Sequence, residues 1–287
     1  MNFICPICNS NKYKPFINCV DYTTTKEQFN LVSCENCGLV QTFPYPDQKN
    51  IGKYYESNEY ISHSDKKNSF FDILYHVVRK YTLIQKVNLI KNYVPHGTIL
   101  DYGCGTGYFL EACNKNKFTT YGIEINEKAR EIARSKNQNI FKDIKEIKDV
   151  KFDIITLWHV LEHLYEPKEY INTFYNLLNK NGYLLLALPN KNSYDGQYYK
   201  NYWAGYDVPR HLFHFTKKDI QNLISKKFKI IDIHPMYFDS FYVSILSEKY
   251  KKTNLALLKG IYRGFISNLK ANKSKEYSSL IYVLQKI

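Results

Sequence analysis

Arginine is scarce in a chain that is otherwise strongly basic. Of 40 basic residues set against 27 acidic ones, only Arg79, Arg130, Arg134, Arg210 and Arg263 are arginines, and the formal net charge is +13. Proteins that read bases and phosphates favour the bidentate guanidinium fork. The lysines here are dispersed among Asn, Ile and Tyr, so the charge reads as a solvated surface rather than a nucleic-acid footprint. Long apolar runs are missing too, which excludes a membrane span, and Met1 to Cys5 has none of the character of a signal peptide. These absences predict a cytoplasmic protein, whose seven cysteines serve as thiols or metal ligands rather than disulfides. There is no internal repeat and no low-complexity tail. With 287 residues, 44% of them hydrophobic, the chain has room for one large domain and a small appendage.

The appendage announces itself first. Cys5-Pro6-Ile7-Cys8 and Cys34-Glu35-Asn36-Cys37 are two C-x-x-C knuckles, the spacing of one tetrahedral zinc site with four thiolates. A segment of residues 1–45 buries little core, so a structural zinc would supply its folding energy. Such a ribbon can clamp substrate, mediate a homodimer or brace the N-terminus. Pro44-Tyr45-Pro46 ends it. Residues 46–95 follow as a linker, with apolar residues at helical spacing from Phe70 to Asn92 (Tyr81, Ile84 and Val87 among them).

The richest stretch is Asp101-Tyr102-Gly103-Cys104-Gly105-Thr106-Gly107. It lies between a short apolar run, Thr98 to Asp101, and a helix expected from Tyr108. Alternating glycines let the backbone turn sharply and approach a ligand where a Cβ would clash. A second acid, Glu124, closes the next apolar run, Thr120 to Ile125. In a doubly wound sheet that position lies beside the first loop, where a carboxylate can accept both hydroxyls of a ribose. The remaining chain alternates: a helix from Glu127 to Lys136, strands near Ile140, at Phe152 to Trp158, Gly182 to Leu188, Ile230 to Pro235 and Ser279 to Gln285, with a helical stretch from Phe241 to Leu269. Thr216 is expected to cap a helix from Lys217, supported by Asp219.

Two clusters can carry chemistry. His159-Val160-Leu161-Glu162-His163 follows the Phe152 strand at the ligand-binding edge of the sheet. On a helix, His159, Glu162 and His163 would share one face. Two imidazoles and a carboxylate can act as a general base or hold a divalent metal; otherwise they are a capping acid beside two hydrogen-bonded histidines. The second cluster, Trp203 to Thr216, packs aromatics around Asp207, Arg210, His211 and His214. It suits either a pocket wall that brings His211 and His214 to the same cleft, or a structural loop with one buried Trp.

Together these motifs resemble class I S-adenosylmethionine-dependent methyltransferases with an N-terminal zinc ribbon. The resemblance rests on Asp101 to Gly107, Glu124, Val160 to Leu164, Pro189-Asn190 and the W-x-G-x-D-x-P-R-H pattern from Trp203 to His211. It implies an α/β fold: a Rossmann-like seven-stranded sheet over residues 96–287, its last strand antiparallel between the fifth and sixth. It also implies a mobile lid near Tyr54 to Tyr60 and S-adenosylmethionine as cofactor, whose ammonium and sulfonium suit an acidic loop. Asp101, Gly103, Cys104, Gly105, Thr106, Gly107, Glu124, Ile125 and Trp158 would line the cofactor, with Asp143 either facing adenine or merely solvated. His159, Glu162, His163, His211 and His214 are the catalytic candidates. Metal-dependent relatives carry E-x-x-E-H where this chain has His159-x-x-Glu162-His163, which makes magnesium a poorer match than a softer metal. The implied reaction is O-methylation of a small acceptor such as a sugar or a surface-glycan or lipid precursor; RNA modification is the alternative, and a scaffold that merely retains the fold is the third.

Overall fold

Apolar runs too short for helices, each followed by an amphipathic segment, dictate alternation of strand and helix. In a computed structural model the described residues are 2–56, 70–137, 139–224 and 227–287, with side chains of the first long helix described from residue 78 onward. The cysteine segment forms β1 (Tyr13–Val20), β2 (Gln28–Cys34) and β3 (Val40–Thr42). Helix α1 (Phe70–Tyr93) leads to β4 (Thr98–Tyr102), α2 (Tyr108–Lys115), β5 (Thr119–Ile123), α3 (Glu127–Lys136) and the short β6 (Ile140–Phe141). Then come β7 (Phe152–Trp158), α4 (Pro167–Leu177), β8 (Leu178–Pro189) and α5 (Tyr194–Tyr199). The chain ends with β9 (Phe213–His214), α6 (Lys217–Ile224), β10 (Phe228–Pro235), α7 (Asp239–Tyr250), α8 (Ala256–Ser274) and β11 (Ser279–Lys286).

Seven of these strands form one sheet in the order β10-β11-β8-β7-β4-β5-β6. Strand β11 runs antiparallel to both neighbours, while the pairs from β8 through β6 are parallel. This is the expected Rossmann-like arrangement. Its centre shows why the sequence there is so apolar: Leu184, Leu186 and Leu188 enter one core cluster, Leu185 and Ala187 another. Alternate side chains point to opposite faces and both faces are covered, so no polar residue interrupts the run. Truncating one of these leucines to Ala costs about 2–5 kcal/mol.

The ribbon is joined to this domain by a strand the sequence did not announce. Val40 and Gln41 pair antiparallel with His214 and Phe213, making a second sheet β1-β2-β3-β9. Phe3, Cys5, Val32, Cys34 and Leu39 lie in the same apolar cluster as Phe213, Phe215 and the leucines of β8. Two residues of extended loop carry no periodicity of their own, and their pairing exists only because the fold delivers them there.

Several expectations need correction. The helical stretch from Phe241 to Leu269 is two helices, broken at Leu255, whose φ of +59° cannot continue a right-handed helix. Strand β5 stops at Ile123, so Glu124 and Ile125 stand just beyond it. His159 to His163 is not an α-helix: His159 has φ +58° and only Leu161–His163 form one 3-10 turn. Among the described side chains of α1, Val87 and Ile90 are buried, whereas Tyr81 and Ile84 are exposed. Of the expected lid, residues 57–60 lie outside the described residues; Tyr54 is buried in the 3-10 turn Ile51–Tyr55. Thr216 and Asp219 do cap α6: the Thr216 hydroxyl and amide donate to Asp219 Oδ2 at 2.6 and 2.8 Å. Among the described residues, no helix is long and apolar enough to cross a membrane.

Candidate active site

After β4 the chain turns through Gly103, Gly105 and Gly107, with φ of +77°, +53° and +78°. The three glycines serve different needs. A Cβ on Gly103 would lie 2.6 Å from Val160 Cγ2, and one on Gly107 3.1 Å from the Ala133 backbone, so these two permit packing. A Cβ on Gly105 would meet nothing within 4 Å. The middle glycine therefore leaves open space above its backbone, the room a ligand needs. Cys104 lies buried beneath the loop, and the Gly103 and Cys104 amides donate to Ile123 O at 2.8 and 2.9 Å. The Thr106 carbonyl accepts from Lys136 Nζ at 2.9 Å.

Glu124 is drawn onto this loop. The Gly105 amide donates to its Oε2 at 2.8 Å and the Asn126 amide to its Oε1 at 2.7 Å. Each oxygen keeps a lone pair, which suits a vicinal diol. Beside it Ile125 is 79% exposed, an apolar surface next to the loop. Asp143 is exposed and its Oδ1 caps the following turn, accepting from the Lys145 amide. Asp101 is buried, with Thr156 Oγ1 donating to it at 2.7 Å. Burial pushes its carboxyl up to about 7, against the pull of Thr156 and Lys86. Lys86, on α1, lies with its Nζ 4.0 Å over the Trp158 ring; burial lowers its pKa, opposed by Asp101 and Asp239. Trp158 Nε1 is buried without a hydrogen-bond partner. Loop, diol-ready carboxylate and acidic floor fit a nucleoside ligand that carries positive charge.

The polar cluster lies next to Trp158. His159 bridges two acids: its Nδ1 is 3.5 Å from Glu162 Oε1 and its Nε2 3.1 Å from Asp239 Oδ2. Burial alone would lower its pKa, but these carboxylates raise it to about 9. Glu162 is 1% exposed, and neither carboxylate oxygen accepts a hydrogen bond. Burial pushes its pKa up, yet the imidazoles of His159, His211 and His163 hold it below the ordinary value.

The neighbouring tautomers follow from backbone carbonyls. His163 Nδ1 is 2.9 Å from Arg210 O, and His211 Nδ1 is 2.9 Å from Gly205 O. Lone pairs do not face each other at that distance, so each Nδ1 carries a proton, and in the neutral form of either ring the free lone pair is on Nε2. His211 Nε2 lies 3.9 Å from Glu162 Oε1, and the two rings meet edge-on at 4.7 Å. Burial and His211 push His163 down to about 4, which leaves it neutral. Ligand atoms of Glu162, His163 and His211 lie within 4.8 Å of one another. A carboxylate without hydrogen bonds beside two nitrogen lone pairs, each imidazole oriented by a carbonyl, has the donor set of a divalent-metal site.

His214 is turned away from this group. It lines a small pocket with Glu162 and His211, but its Nε2 is 3.3 Å from Thr42 Oγ1 and its ring packs edge-on against Tyr206. Burial and His211 press its pKa well below the ordinary value. The aromatic loop around it is mostly core: Tyr199, Trp203 and Tyr206 are buried with Cys19, Leu31 and Val40 of the ribbon. The knuckle cysteines converge, with Cys5 Sγ to Cys37 Sγ 3.4 Å and Cys8 Sγ to Cys34 Sγ 3.5 Å, all four within 4.8 Å. Around zinc, S–S edges are about 3.8 Å for bonds near 2.3 Å, so the four sulfurs fit that ion. Cys19, Cys104 and Cys113 are free and buried.

Four further residues stand near this centre; Tyr55 falls in the stretch expected as a lid, and the other three were not singled out from the sequence. Asp239 and Lys86 join the acidic floor, Tyr55 OH is 3.1 Å from His163 Nδ1, and Asp21 anchors Arg210. Lys86 alone left a signal: a lysine on the Leu83, Val87, Ile90 face of α1.

Comparison with known proteins bears on the family and the fold. The family described as Methyltransferase domain matches residues 75–227. The chain is 30% identical over 124 residues to a ubiquinone biosynthesis O-methyltransferase of Histophilus somni, covering 38% of this chain and 52% of that protein. It is 31% identical over 103 residues to the namesake from Coxiella burnetii, covering 33% and 44%. The chain thus spans about half the length of the curated relatives it matches. The crystal structure of magnesium protoporphyrin IX methyltransferase from Synechocystis PCC 6803 with bound SAH superposes with a TM-score of 0.54 at 17% identity, over 84% of this chain and 100% of that one; this likeness is one of fold.

Proposed function

Because the chain belongs to the Methyltransferase domain family over residues 75–227, we propose that it transfers a methyl group from S-adenosylmethionine to a hydroxyl of a small acceptor, a sugar or a surface-glycan or lipid precursor. The observation that carries the reading is Glu162, buried and free of hydrogen bonds, with ligand atoms of His163 and His211 within 4.8 Å of it and of each other. The cofactor supplies an electrophilic methyl on a sulfonium. Glu124, Gly105 and Ile125 would hold its nucleoside, and Asp101 its cationic end. Trp158 would wall the cleft.

His163 is neutral at pH 7, as its pKa of about 4 requires, so its Nε2 can take a hydroxyl proton. His159, held charged between Asp239 and Glu162, anchors the carboxylate rather than accepting that proton. Glu162, His163 and His211 would alternatively hold a divalent ion, which would lower the pKa of a bound hydroxyl. The cysteine set supports a structural zinc.

The test is transfer of isotopically labelled methyl from S-adenosylmethionine into fractionated cell extract. Label in the glycan or lipid fraction, lost in Glu162→Gln, is the expected result. Label confined to RNA would overturn the acceptor class, and absence of cofactor binding by calorimetry would overturn the activity.

A further inference from the structure

Helix α8 is amphipathic in the reverse of the usual sense. The side packed against α7 carries Gly260, Gly264, Ser267 and Ala271, all buried. A Cβ on Gly260 would lie 2.5 Å from the Cα of Ile245, and one on Gly264 2.7 Å from that of Phe241. Small residues let two backbones approach this closely, and they bury few large side chains in doing so. The bulky apolar residues face outward instead. Leu255 is 69% exposed, Leu258 60%, Tyr262 57%, Phe265 53% and Leu269 48%, with Ile261 beside them at 44%. Positions 258, 262, 265 and 269 recur at helical spacing and make one stripe, with Leu255 exposed just before the helix begins. Single exposed apolar residues are ordinary on a protein surface, but a continuous row is a contact surface.

Charge complementarity identifies the occupant. From Lys249 to Lys275, both included, there are eight lysines and arginines and no aspartate or glutamate. Arg263 lies with its guanidinium 4.2 Å over the Tyr198 ring and Lys270 with its Nζ 3.9 Å over Tyr194, which seats both cations along the α5 flank of the helix. A second copy on this face would bring like charges together. An anionic bilayer satisfies both halves of the pattern: acyl chains receive Leu258, Phe265 and Leu269, the headgroup level suits Tyr262, and lysines meet phosphates. We propose that α8 docks this protein on an anionic membrane surface, lying in the interface rather than spanning it.

The location gives the docking a use. Phe241, against which Gly264 packs, is two residues from Asp239, whose carboxylate meets His159 at 3.1 Å. A docked molecule would hold its candidate centre near the bilayer, in reach of an acceptor carried by a lipid. That consequence rests on the methyl-transfer reading; the docking does not.

Flotation of the full chain with vesicles separates the alternatives. Vesicles of phosphatidylcholine containing phosphatidylglycerol should carry the protein upward, pure phosphatidylcholine should not, and molar salt should weaken binding at least about tenfold by screening. Phe265→Ser/Leu269→Ser, both exposed, should keep the circular dichroism and the cofactor affinity of the wild type while losing at least about tenfold in vesicle affinity. Lys259→Glu/Lys270→Glu should lose the salt-sensitive part. Absence of binding to anionic vesicles, equal binding to neutral ones, or wild-type binding by the stripe variant would each overturn the proposal. So would sedimentation showing a dimer that the stripe variant abolishes, together with no vesicle binding. Cofactor binding measured in the same preparations keeps a failure of docking distinct from a failure of the methyltransferase reading.

Discussion

Arg210 Nη2 lies 3.1 Å from Asp21 Oδ1, a contact between residues 189 positions apart. The same guanidinium holds Asp207 bidentately, at 2.6 and 2.9 Å, and donates to Tyr54 O at 2.7 Å. Arg210 also offers the carbonyl that fixes the His163 tautomer, and His211 follows it directly. The turn after β1 is thus tied to the candidate centre through one buried cation. Asp21→Ala removes one of the two carboxylates that hold this cation and leaves it to Asp207 and the Tyr54 carbonyl, at a cost to stability of about 1.5–3 kcal/mol. Under conditions where the variant is still folded, kcat should fall about 10- to 100-fold with cofactor affinity unchanged, because a misplaced group loses rate without losing cofactor contacts. Asp21→Glu should recover part of the rate. A wild-type kcat in folded Asp21→Ala would confine the contact to stability.

Glu124 is expected to carry cofactor affinity. Both its oxygens are positioned by backbone amides, and loss of hydrogen bonds to a charged acceptor costs about 1.5–3 kcal/mol. Calorimetry with S-adenosylmethionine or its demethylated product should therefore show Glu124→Ala binding about 10- to 100-fold more weakly. Unchanged affinity would remove Glu124 from the site.

Asp101 sets a pH dependence whose sign is definite. Burial raises its folded-state pKa from 3.8 to about 7, so the folded protein retains a proton that the unfolded chain has released. The associated stability is present below pH 3.8 and is lost as pH rises through about 7. Asp101→Asn keeps an acceptor for Thr156 without the buried charge. It should be more stable than wild type at pH 8, with the difference shrinking toward pH 4, while binding cofactor more weakly. Denaturant titrations at several pH values measure the first effect and calorimetry the second. A difference independent of pH would mean that the carboxyl is ordinary in the fold.

Zinc removal should be felt beyond the ribbon. Cys5, Cys8, Cys34 and Cys37 should retain one zinc per chain in protein prepared without chelator. Stripping it should release β3 and with it the β3–β9 pairing, so hydrogen exchange at Phe213 and His214 should accelerate together with residues 2–45. Metal analysis finding no zinc, or exchange confined to the ribbon, would contradict this.

The centre itself has the sharpest expectation. Glu162→Gln and His163→Ala should each reduce turnover by about two to four orders of magnitude, with cofactor affinity nearly intact. If a divalent ion serves there, chelation should lower activity while ribbon zinc is still measured as bound. Turnover within a few fold of wild type in His163→Ala would return the cluster to a structural role.

Sequence alone determined the parts whose physics is local. Gly103, Gly105 and Gly107 had to form a sharp turn because no other residue adopts three left-handed conformations so closely spaced. The alternation of apolar runs required a sheet with helices, and C-x-x-C spacing required converging thiolates. Helix α3 begins and ends where its pattern says, with Asn126 as its cap. What the tertiary structure decided lies between distant segments. His159, Glu162 and His163 converge although they are not on an α-helix, because a left-handed residue and one 3-10 turn re-aim them and His211 arrives from a separate loop. The aromatic cluster around Trp203 reads as a pocket wall ahead of a structural loop, and the ribbon's arrival against it made most of it core instead. Asp239 and Asp21 left no pattern at all, since a carboxylate's partner across 80 or 189 residues is chosen by packing and not by neighbours in the chain.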